Sequence, residues 1–428
     1  MMSREMKHSG IEWIGEIPKE WMTCYTSSLF HEHKEKNIGL KNTNLLSLSY
    51  GKIKQKDINT NEGLLPQSFE TYNVIKKGDI VFRLTDLQND KRSLRTGLCK
   101  EDGIITSAYV TLRANKAVDS TYFHYLFHSY DECKVFYGLG DGVRQGMNWV
   151  DVKKLAVFEP PLSEQQKIAS YLDKVCGEVD EMITLQEQMI EELKAYKQSV
   201  ITEAVTKGLN PNVPMKESGI DWIGEVPEHW GTPAISYLAK ITSGSTPDRN
   251  NPLFWGEGTV NWIKTGELQN NRLSCSEEKV TEYALNNTSI KLYPKDTILM
   301  AMYGQGKTRG MTALLDVPCT TNQACAALSI YNKNVNVLFL WKCLIGAYDA
   351  IRDKAVGTGQ PNLNIDLISK FVIPLPPYNE QVEIVAFIDE IIPQIDSLIA
   401  LKQAKIEELK EYKKSVIYEY VTGKKEVV

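Results

Sequence analysis

The residues of this chain that most suggest chemistry lie at 301–308, AMYGQGKT, which fits a relaxed phosphate-binding loop ending in Lys307 and Thr308. A true loop of this kind runs from a strand directly into a helix, whose N-terminus meets the phosphates. The segment that follows, RGMTALLDVP at 309–318, contains a glycine and a proline and is poor helix material. The pattern therefore favours a glycine hairpin that presents Lys307 and Arg309, rather than a nucleotide site.

Two other patterns point to chemistry that the sequence does not complete. The tetrapeptide LPPY at 375–378 resembles the motif of amino-methyltransferases, but leucine stands where an asparagine or aspartate would hold the target amino group. His124 and His128, or His31 and His33, could share a metal ion, yet no third ligand is suitably spaced to complete either site. We therefore expect no catalytic residue and no metal site in this chain, and packing or surface roles for the histidines.

The composition is that of an ordinary globular protein. The chain has 428 residues, 42% of them hydrophobic and 24% charged, which is enough for two or three domains. No apolar stretch is long enough to cross a bilayer, and the N-terminal residues lack the apolar region of a secretory signal. The eight cysteines form no CxxC pair, which is typical of a reducing compartment. These features predict a cytoplasmic protein with no membrane association.

Charge is distributed unevenly along the chain, whose net charge is −5. Residues 20–155 carry 19 Lys and Arg against 16 Asp and Glu, and residues 230–375 carry 14 against 11, so each segment has a charge of +3. Residues 156–208 (5 against 10) and 376–428 (7 against 10) are acidic. Only the two basic segments are plausible faces for DNA.

The chain contains a long internal repeat. Residues 6–21 and 215–230 are identical at 11 of 16 positions, and residues 190–208 and 406–424 at 13 of 19. The offset is 209 residues at the first match and 216 at the second, far above the period of solenoid repeats, so the repeat indicates duplicated domains.

Between the repeated pieces the two copies differ in sequence but keep one layout. Each has a strand after an acidic turn, KGDIVF at 77–82 and PKDTILM at 294–300, and then an aromatic helical run, 121–137 and 337–352. Each then has a polar loop ending in an asparagine, Asn148 or Asn364, 12 residues before a Pro-Pro pair. Strands mixed with few helices predict α+β or α/β recognition domains.

A long helix is predicted after each Pro-Pro pair. Residues 163–207 would span roughly 65 Å at ~1.5 Å per residue, longer than a domain core needs. Pro393 would kink the second helix or mark its true start. The helices could oligomerise, but two matching helices in one chain more naturally pair with each other, antiparallel, with a domain at each end. The heptad seam that we predict is Ile168, Leu172, Val175, Val179, Met182, Met189, Leu193, Tyr196 and Val200 in the first helix, and Ile384, Ile388, Ile391, Ile395, Leu398, Leu409, Tyr412 and Val416 in the second, interrupted by Lys402 and Lys405.

The architecture and four segments together resemble the specificity subunit of type I restriction-modification systems, over essentially the whole chain. The segments are SGIEWIGEIP at 9–18, PPLSEQQKIASYLD at 160–173, IEELKAYKQSVITEAVTKG at 190–208 and ITSGSTPDRNNPLFWGEGTVNWIKTGEL at 241–268. The resemblance implies two target-recognition domains, each reading one half of a split DNA site. It also implies long helices that set the separation of the domains and dock two adenine-methyltransferase subunits, to which restriction subunits can be added.

The resemblance makes polar residues of the two basic segments candidates for contacts with double-stranded DNA. A solvated face for the basic run at 91–95 and an ordinary turn at 243–247 remain alternatives. In the first segment the candidates are Lys52, Lys54, Arg83, Lys91, Arg92, Arg95, Arg144 and Gln145. In the second they are Ser243, Ser245, Thr246, Lys264, Tyr303, Gln305, Lys307, Arg309, Asn322, Gln323, Gln360 and Asn362.

We thus expect an α+β fold, with one target-recognition domain at 1–159, a spacer helix at 160–208, a second domain at 209–375 and a second spacer helix at 376–428. The expected function is non-catalytic recognition of a bipartite DNA site. S-adenosylmethionine, ATP and Mg²⁺ would then belong to the partner subunits and not to this chain. The alternatives are a scaffold protein whose duplicated domains bind proteins and, more remotely, an enzyme with a nucleotide site at 301–308.

Overall fold

The chain folds into two compact units in a computed structural model that describes residues 4–59, 68–85, 87, 94–138, 146–304, 306–356 and 362–427. Unit 1 comprises Met1–Glu187 and Gln403–Val428, and unit 2 comprises Gln188–Lys402. The division falls inside both long helices. Each unit therefore holds one recognition domain, the N-terminal half of the helix that follows that domain, and the C-terminal half of the other long helix.

Unit 1 is a mixed α/β structure in which short strands outnumber helices. Its strands are β1 (Met6–His8), β2 (Glu16–Pro18), β3 (Met22–Tyr25), β4 (Phe30–Glu32), β5 (Leu45–Ser49), β6 (Lys52–Lys56), β7 (Asn73–Ile75), β8 (Ile80–Phe82), β9 (Thr96–Leu98), β10 (Gly103–Ile105), β11 (Val110–Ala114) and β12 (Ala156–Glu159). Its helices are α1 (Thr26–Leu29), α2 (Ser120–Glu132), α3 (Trp149–Val152) and the first half of α4 (Leu162–Lys207).

Unit 2 is built from the same classes of element. Its strands are β13 (Met215–Glu217), β14 (Glu225–Pro227), β15 (Ala239–Ser243), β16 (Val260–Ile263), β17 (Asn271–Leu273), β18 (Glu278–Val280), β19 (Ile298–Ala301), β20 (Thr312–Leu315), β21 (Thr320–Thr321) and β22 (Cys325–Ile330). Its helices are α5 (Pro252–Trp255), α6 (Glu282–Asn287), α7 (Val337–Gly346), α8 (Tyr348–Asp353), α9 (Ile365–Lys370) and the first half of α10 (Tyr378–Val421).

The two main sheets of each unit share most of their strand order although their sequences differ. The order β4-β11-β8-β9 in unit 1 matches β15-β22-β19-β20 in unit 2, to which β17 is added. The order β6-β5-β10 matches β18-β16-β21, with β5–β10 and β16–β21 both parallel. The predicted strands after the acidic turns are β8 and β19, and the predicted aromatic runs form α2 and α7. Asn148 and Asn364 cap the following short helices, α3 and α9, so the predicted common layout is confirmed.

A buried glutamine joins each long helix to the aromatic helix of its recognition domain. The Gln165 Oε1 atom accepts a hydrogen bond from the backbone amide of Asp119, the N-cap of α2 (2.8 Å), and its Nε2 donates to the Pro160 carbonyl (2.8 Å). Gln381 does the same in unit 2, accepting from the amide of Asn336, the N-cap of α7 (2.7 Å). The start of each long helix is therefore tied to the start of a core helix.

The preceding glutamate holds the tryptophan that ends the repeated N-terminal segment. Trp21 Nε1 donates to Glu164 Oε2 at 3.0 Å, and Trp230 Nε1 donates to Glu380 Oε2 at 2.9 Å. Arg4 adds two charge-assisted bonds to Glu164, at 2.7 and 3.0 Å. Both tryptophans are buried, whereas the glutamates that accept their hydrogen bonds are partly exposed, and the carboxylate charge strengthens each bond.

The two long helices run antiparallel to each other inside each unit. In unit 1 Lys413 pairs with Asp180 (2.6 Å) and the ring of Tyr171 lies on that of Tyr420. In unit 2 Lys197 pairs with Asp396 (2.7 Å). In each of these three pairs the two residue numbers add up to 591 or 593. The two helices therefore keep one antiparallel register in both units, in which residue n of α4 lies opposite about residue 592 − n of α10.

The seam predicted from the sequence is wrong in its central part. Met182 and Tyr196 are 51% and 58% exposed, and Leu398 and Tyr412 also face solvent, whereas Ile190 and Ile406 are buried. The row between the helices includes lysines: the side chains of Lys197 and Lys413 are 32% and 23% exposed, and their amines pair with acids of the facing helix. Helix α10 begins at Tyr378 and continues through Pro393, so Pro393 does not mark its start.

His124 and His128, one turn apart on α2, are partly buried in unit 1. Burial, with the positive charges of Lys413 and Lys414 close by, lowers the pKa of His128 to about 4. Burial, with His128 and Lys100, lowers the pKa of His124 to about 3. Among the residues that the structure describes, no three His, Cys, Asp or Glu side chains are grouped as metal ligands.

Replacing Gln165 by alanine should lower the thermal stability of unit 1. The change leaves the Asp119 amide and the Pro160 carbonyl without their partner, and each unsatisfied group costs about 1–3 kcal/mol. We expect the melting temperature of unit 1 to fall by about 3–10 °C in differential scanning calorimetry. The control is Gln166→Ala, the exposed neighbour on the same helix turn, which should melt like the parent. Equal melting of the two variants would contradict the proposed tie.

The stability of unit 1 should fall with acid below about pH 6.5. The unfolded histidines bind protons near their ordinary pKa of about 6.5, whereas the folded side chains stay neutral to about 4. Each histidine therefore favours unfolding by up to about 1.4 kcal/mol per pH unit as the pH falls from 6.5. His128→Gln should show a smaller drop in melting temperature between pH 7 and pH 5 than the parent. The exposed His8→Gln serves as control, and an unchanged drop in His128→Gln would refute this account.

Candidate nucleic-acid interface

Three strands of unit 2 end at one edge, where their following residues form a polar cleft. The parallel strands β16 and β21 end beside each other and lead into Lys264 and Asn322. The end of β15 joins them because the Ser245 amide donates to the Thr321 carbonyl (2.9 Å). This approach requires glycine at position 244, since a Cβ there would lie 2.0 Å from the same carbonyl oxygen. The cleft is lined by Thr246, Arg249, Trp262, Lys264, Thr265, Gly266, Glu267, Glu277 and Asn322.

Several predicted contact residues meet in this cleft. Thr246 Oγ1 donates to Gln323 Oε1 at 2.5 Å, and the hydroxyls of Ser245 and Ser289 are 3.0 Å apart. The carbonyl of Ser245 accepts from Trp262 Nε1 (3.1 Å), which fixes the turn. The structure therefore brings together Ser245, Thr246, Lys264, Asn322 and Gln323, from three separate parts of the chain.

The cations of the cleft are held by two adjacent glutamates. Lys264 Nζ lies 2.9 Å from Glu277 and 3.0 Å from Glu278, and these hydrogen bonds raise the pKa of the lysine. Glu278 also binds the guanidinium of Arg249, and that bond lowers the pKa of its carboxyl group. Because the groups are exposed, these ion pairs are weak, and a phosphate or base edge can replace the carboxylates.

Arg249 is a member of the cleft that the sequence analysis missed. Its guanidinium lies over the rings of Trp255 (3.9 Å) and Trp262 (4.5 Å), which restrict its position while leaving nitrogens for hydrogen bonds. Such a restrained arginine is suited to bidentate recognition of guanine or phosphate. The signal in the sequence was an arginine followed by two tryptophans within one short segment, RNNPLFWGEGTVNW at 249–262.

The glycine-rich segment at 301–310 forms a hairpin, as predicted. Strands β19 and β20 pair antiparallel on either side of it, and a strand follows the segment in place of the helix of a phosphate-binding loop. Helix α8 contacts the hairpin through two hydrogen bonds. Tyr348 donates to the Lys307 carbonyl (2.5 Å), and Arg352 donates to the Gly306 carbonyl (2.9 Å). The side chains of Tyr303 and Lys307 are exposed.

Arg309, Ser243 and Asn362 also belong to unit 2 but lie outside this polar cleft. Arg309 is partly buried at the end of the hairpin. The carbonyl of Ser243 accepts from Tyr293 (2.9 Å), and Asn362 pairs its backbone with Val356. Their contacts with DNA stay predictions.

In unit 1 the candidates are dispersed. Lys52 and Lys54 lie on the edge strand β6, where Lys52 Nζ is 3.3 Å from Asp180, and Arg83 is partly exposed after β8. Arg95 is fully buried, with its amide bound to the Asp131 carboxylate and its Nη1 donating to the Thr85 carbonyl (2.9 Å). A DNA contact through Arg95 does not fit this burial, and we remove it from the interface. Lys91, Arg92, Arg144, Gln145, Gln305 and Gln360 lie outside the described residues.

The LPPY tetrapeptide has a structural role in unit 2, at the start of α10. The Leu375 amide donates to the Gly231 carbonyl (2.8 Å), and the Pro376 carbonyl accepts from Gln381 Nε2 (2.9 Å). The tetrapeptide thus carries the chain from a strand-like pairing into α10. None of the helices within the described ranges has the length and apolarity needed to span a membrane.

Comparison with known proteins identifies one family. The family model described as "Type I restriction modification DNA specificity domain" matches residues 18–195 and 227–411, once in each copy of the repeat. A putative type I restriction enzyme MjaX specificity subunit of Methanocaldococcus jannaschii is 24% identical over 425 residues, covering 96% of this chain and 95% of the relative. The EcoR124I/EcoR124II specificity subunit of Escherichia coli is 24% identical over 282 residues, 64% of each chain.

Two solved structures share the fold. A chain from a study of complex assembly and conformational transition of the type I R-M system matches with a TM-score of 0.71 and 16% identity, over 95% of this chain and 99% of that chain. The HsdS subunit from Thermoanaerobacter tengcongensis matches with a TM-score of 0.50 and 15% identity, over 95% and 98%.

Lys264 and Glu277 should affect DNA binding in opposite directions. Lys264→Ala removes a cation of the cleft and should weaken binding of duplex DNA roughly tenfold, with the slope of log K against log salt reduced by about one. Glu277→Gln frees Lys264 and should tighten binding about two- to threefold. Fluorescence anisotropy at several salt concentrations measures both changes.

The matched control for this pair is Lys279→Ala. Lys279 is an exposed lysine on the same strand as Glu278, and successive side chains of a strand point to opposite faces. Its removal should leave the affinity within about twofold of the parent. If Lys264→Ala and Lys279→Ala lose affinity equally, the cleft is not a specific DNA contact.

Proposed function

Because the chain belongs to the family of type I restriction-modification DNA specificity subunits, we propose that its two recognition domains read the two halves of a bipartite DNA site. The observation that carries this proposal is the duplicated family match, once in each copy. The strands of the two units correspond, but the connections between them differ. Different connections on a common sheet are suited to reading two different half-sites, which favours DNA recognition over a protein scaffold.

In this proposal the chain positions other subunits and performs no chemistry. Three observations support it: the 301–310 segment is a hairpin between strands, LPPY carries the chain into α10, and the described residues hold no grouped metal ligands. Adenine methylation would then be carried out by methyltransferase subunits that bring S-adenosylmethionine. ATP and Mg²⁺ would enter with restriction subunits, where those are present.

The exposed apolar side chains of the long helices are the docking face that we propose for the methyltransferases. They occur as counterparts separated by 216 residues: Met182 with Leu398, Leu185 with Leu401, and Tyr196 with Tyr412. Each unit thus offers one equivalent set, with Met182, Leu185 and Tyr412 in unit 1 and Leu398, Leu401 and Tyr196 in unit 2. Two equivalent sets support two docked copies of one partner. Four of these residues, Met182, Tyr196, Leu398 and Tyr412, belong to the seam that was predicted from the sequence, and Leu185 and Leu401 do not.

Co-expression with the cognate adenine methyltransferase should yield a complex with two methyltransferase copies and a methylated, asymmetric, bipartite motif. Leu185→Glu or Leu401→Glu alone should retain one copy in native mass spectrometry, and the double variant should lose both, since a charge buried in an interface lowers affinity at least about tenfold. Long-read methylome sequencing provides the motif.

Leu292→Glu is the control for these variants, because Leu292 is comparably exposed but lies in the recognition domain of unit 2. It should keep both methyltransferase copies. A double helix variant that retains two copies would exclude this docking face. Methylation by the isolated chain supplied with S-adenosylmethionine, or an unsplit motif, would refute the proposed function itself.

A further inference from the structure

The polar cleft of unit 2 has a counterpart at the same edge of the matching sheet in unit 1. In unit 2 the antiparallel strands β16 and β18 are joined by residues 264–277, which carry Lys264 and Glu277. The matching strands β5 and β6 are joined by two residues only, Tyr50 and Gly51, because Ser49 pairs directly with Lys52. The pairing of β5 with β10 and of β16 with β21 matches Ser47 with Lys264, so Tyr50 lies at the tip of the turn, three residues beyond that position.

The backbone at this turn is strained. Tyr50 has φ 46° and Gly51 has φ 76°, so both residues are left-handed, as in the two-residue turn that normally carries Asn-Gly or Asp-Gly. Glycine adopts this conformation freely, but a tyrosine does so at an energetic cost. The side chain of Tyr50 is 72% exposed. Such an exposed ring contributes little burial to offset the strain, and residues of this kind concentrate at binding sites.

The strand that leaves the turn is basic on its outer face. Lys52, Lys54 and Lys56 alternate along β6 and are exposed, whereas Ile53 points inward and packs against the buried residues of the sheet. Lysines on an edge strand also prevent association between sheets. That role accounts for the lysines but leaves Tyr50 unexplained, because an exposed aromatic ring at the tip favours association.

We propose that Tyr50 is a DNA-contacting residue of unit 1, with its ring packed against sugar or base edges while Lys52 and Lys54 contact the phosphates on the same side. This inference rests on the proposed function, because it takes duplex DNA as the ligand. It assigns to unit 1 a contact element in the connection that corresponds to residues 264–277 of unit 2. The exposed hydroxyl of Ser107, just beyond the end of β10, occupies the place of Gln323 beyond the end of β21.

Tyr50→Asn tests the proposal because it should change stability and binding in opposite directions. Asparagine accepts the left-handed conformation, so the melting temperature of unit 1 should rise by about 2–4 °C. Loss of the ring should weaken binding of the selected duplex roughly tenfold. Tyr50→Phe, which keeps the ring and the strain, should bind within about twofold of the parent. Tyr25→Asn removes a tyrosine of similar exposure and ordinary φ, −83°, and should bind like the parent.

Selection of the full chain against a random-sequence duplex library, followed by sequencing, shows which half-site each variant affects. Tyr50→Asn should reduce the selectivity for particular bases in one half-site, and Lys264→Ala should reduce it in the other. The inference is overturned if Tyr50→Asn keeps the parental motif and affinity, if it blurs the same half-site as Lys264→Ala, or if its melting temperature falls. A parent that selects no bipartite motif would instead refute the proposed function, and the inference with it.

Discussion

Each recognition domain is held to its long helix by a glutamate and a glutamine that are adjacent in sequence. Gln165 and Gln381 are buried amides that satisfy the first turn of a core helix, and Glu164 and Glu380 bind the tryptophan that ends the repeated N-terminal segment. A buried amide is costly unless its hydrogen bonds are made, so the glutamines favour one arrangement of the two helices. The recognition domain between Trp21 and Pro160 is therefore held at both ends, by the contact of Trp21 with Glu164 and by that of Pro160 with Gln165. The domain between Trp230 and Pro376 is held in the same way by Glu380 and Gln381.

This constraint explains how the two domains differ in sequence and keep the same strand order. The contacts that define the frame lie in the repeated segments, at the start of the core helix and along the long helices. The strands β8 and β19 need only be apolar and in register, and both are buried along their whole length. The connections at this edge lie outside the repeated segments. One is a two-residue turn and the other spans residues 264–277, so a change in recognition there need not disturb the fold.

The sequence alone predicted the repeat, the long helices, the hairpin at 301–310 and some of the polar residues of the cleft, because each of these can be read from the order of residues without knowledge of tertiary contacts. It placed Arg95 on a DNA face because that residue ends a basic run, but Asp131 and Thr85 hold it in the core. It missed Arg249, whose tryptophan partners come together only when α5 packs near β16. It also chose the wrong central seam, because Met182 and Tyr196 are more apolar than the lysines that pack there.

In the docking arrangement that we propose, packing and docking use different rows of one helix. A helix that pairs with another and also binds a third element needs two apolar rows, and the sequence of α4 contains both. Ile190 lies on the row toward α10, and Met182 and Tyr196 lie on the other. Lysine can serve the inner row because its stem is apolar and its amine reaches an acid at the edge, as Lys197 reaches Asp396. Met182 and Tyr196 then lie on the outer row, where their exposed apolar side chains suit the binding of a partner protein that we propose.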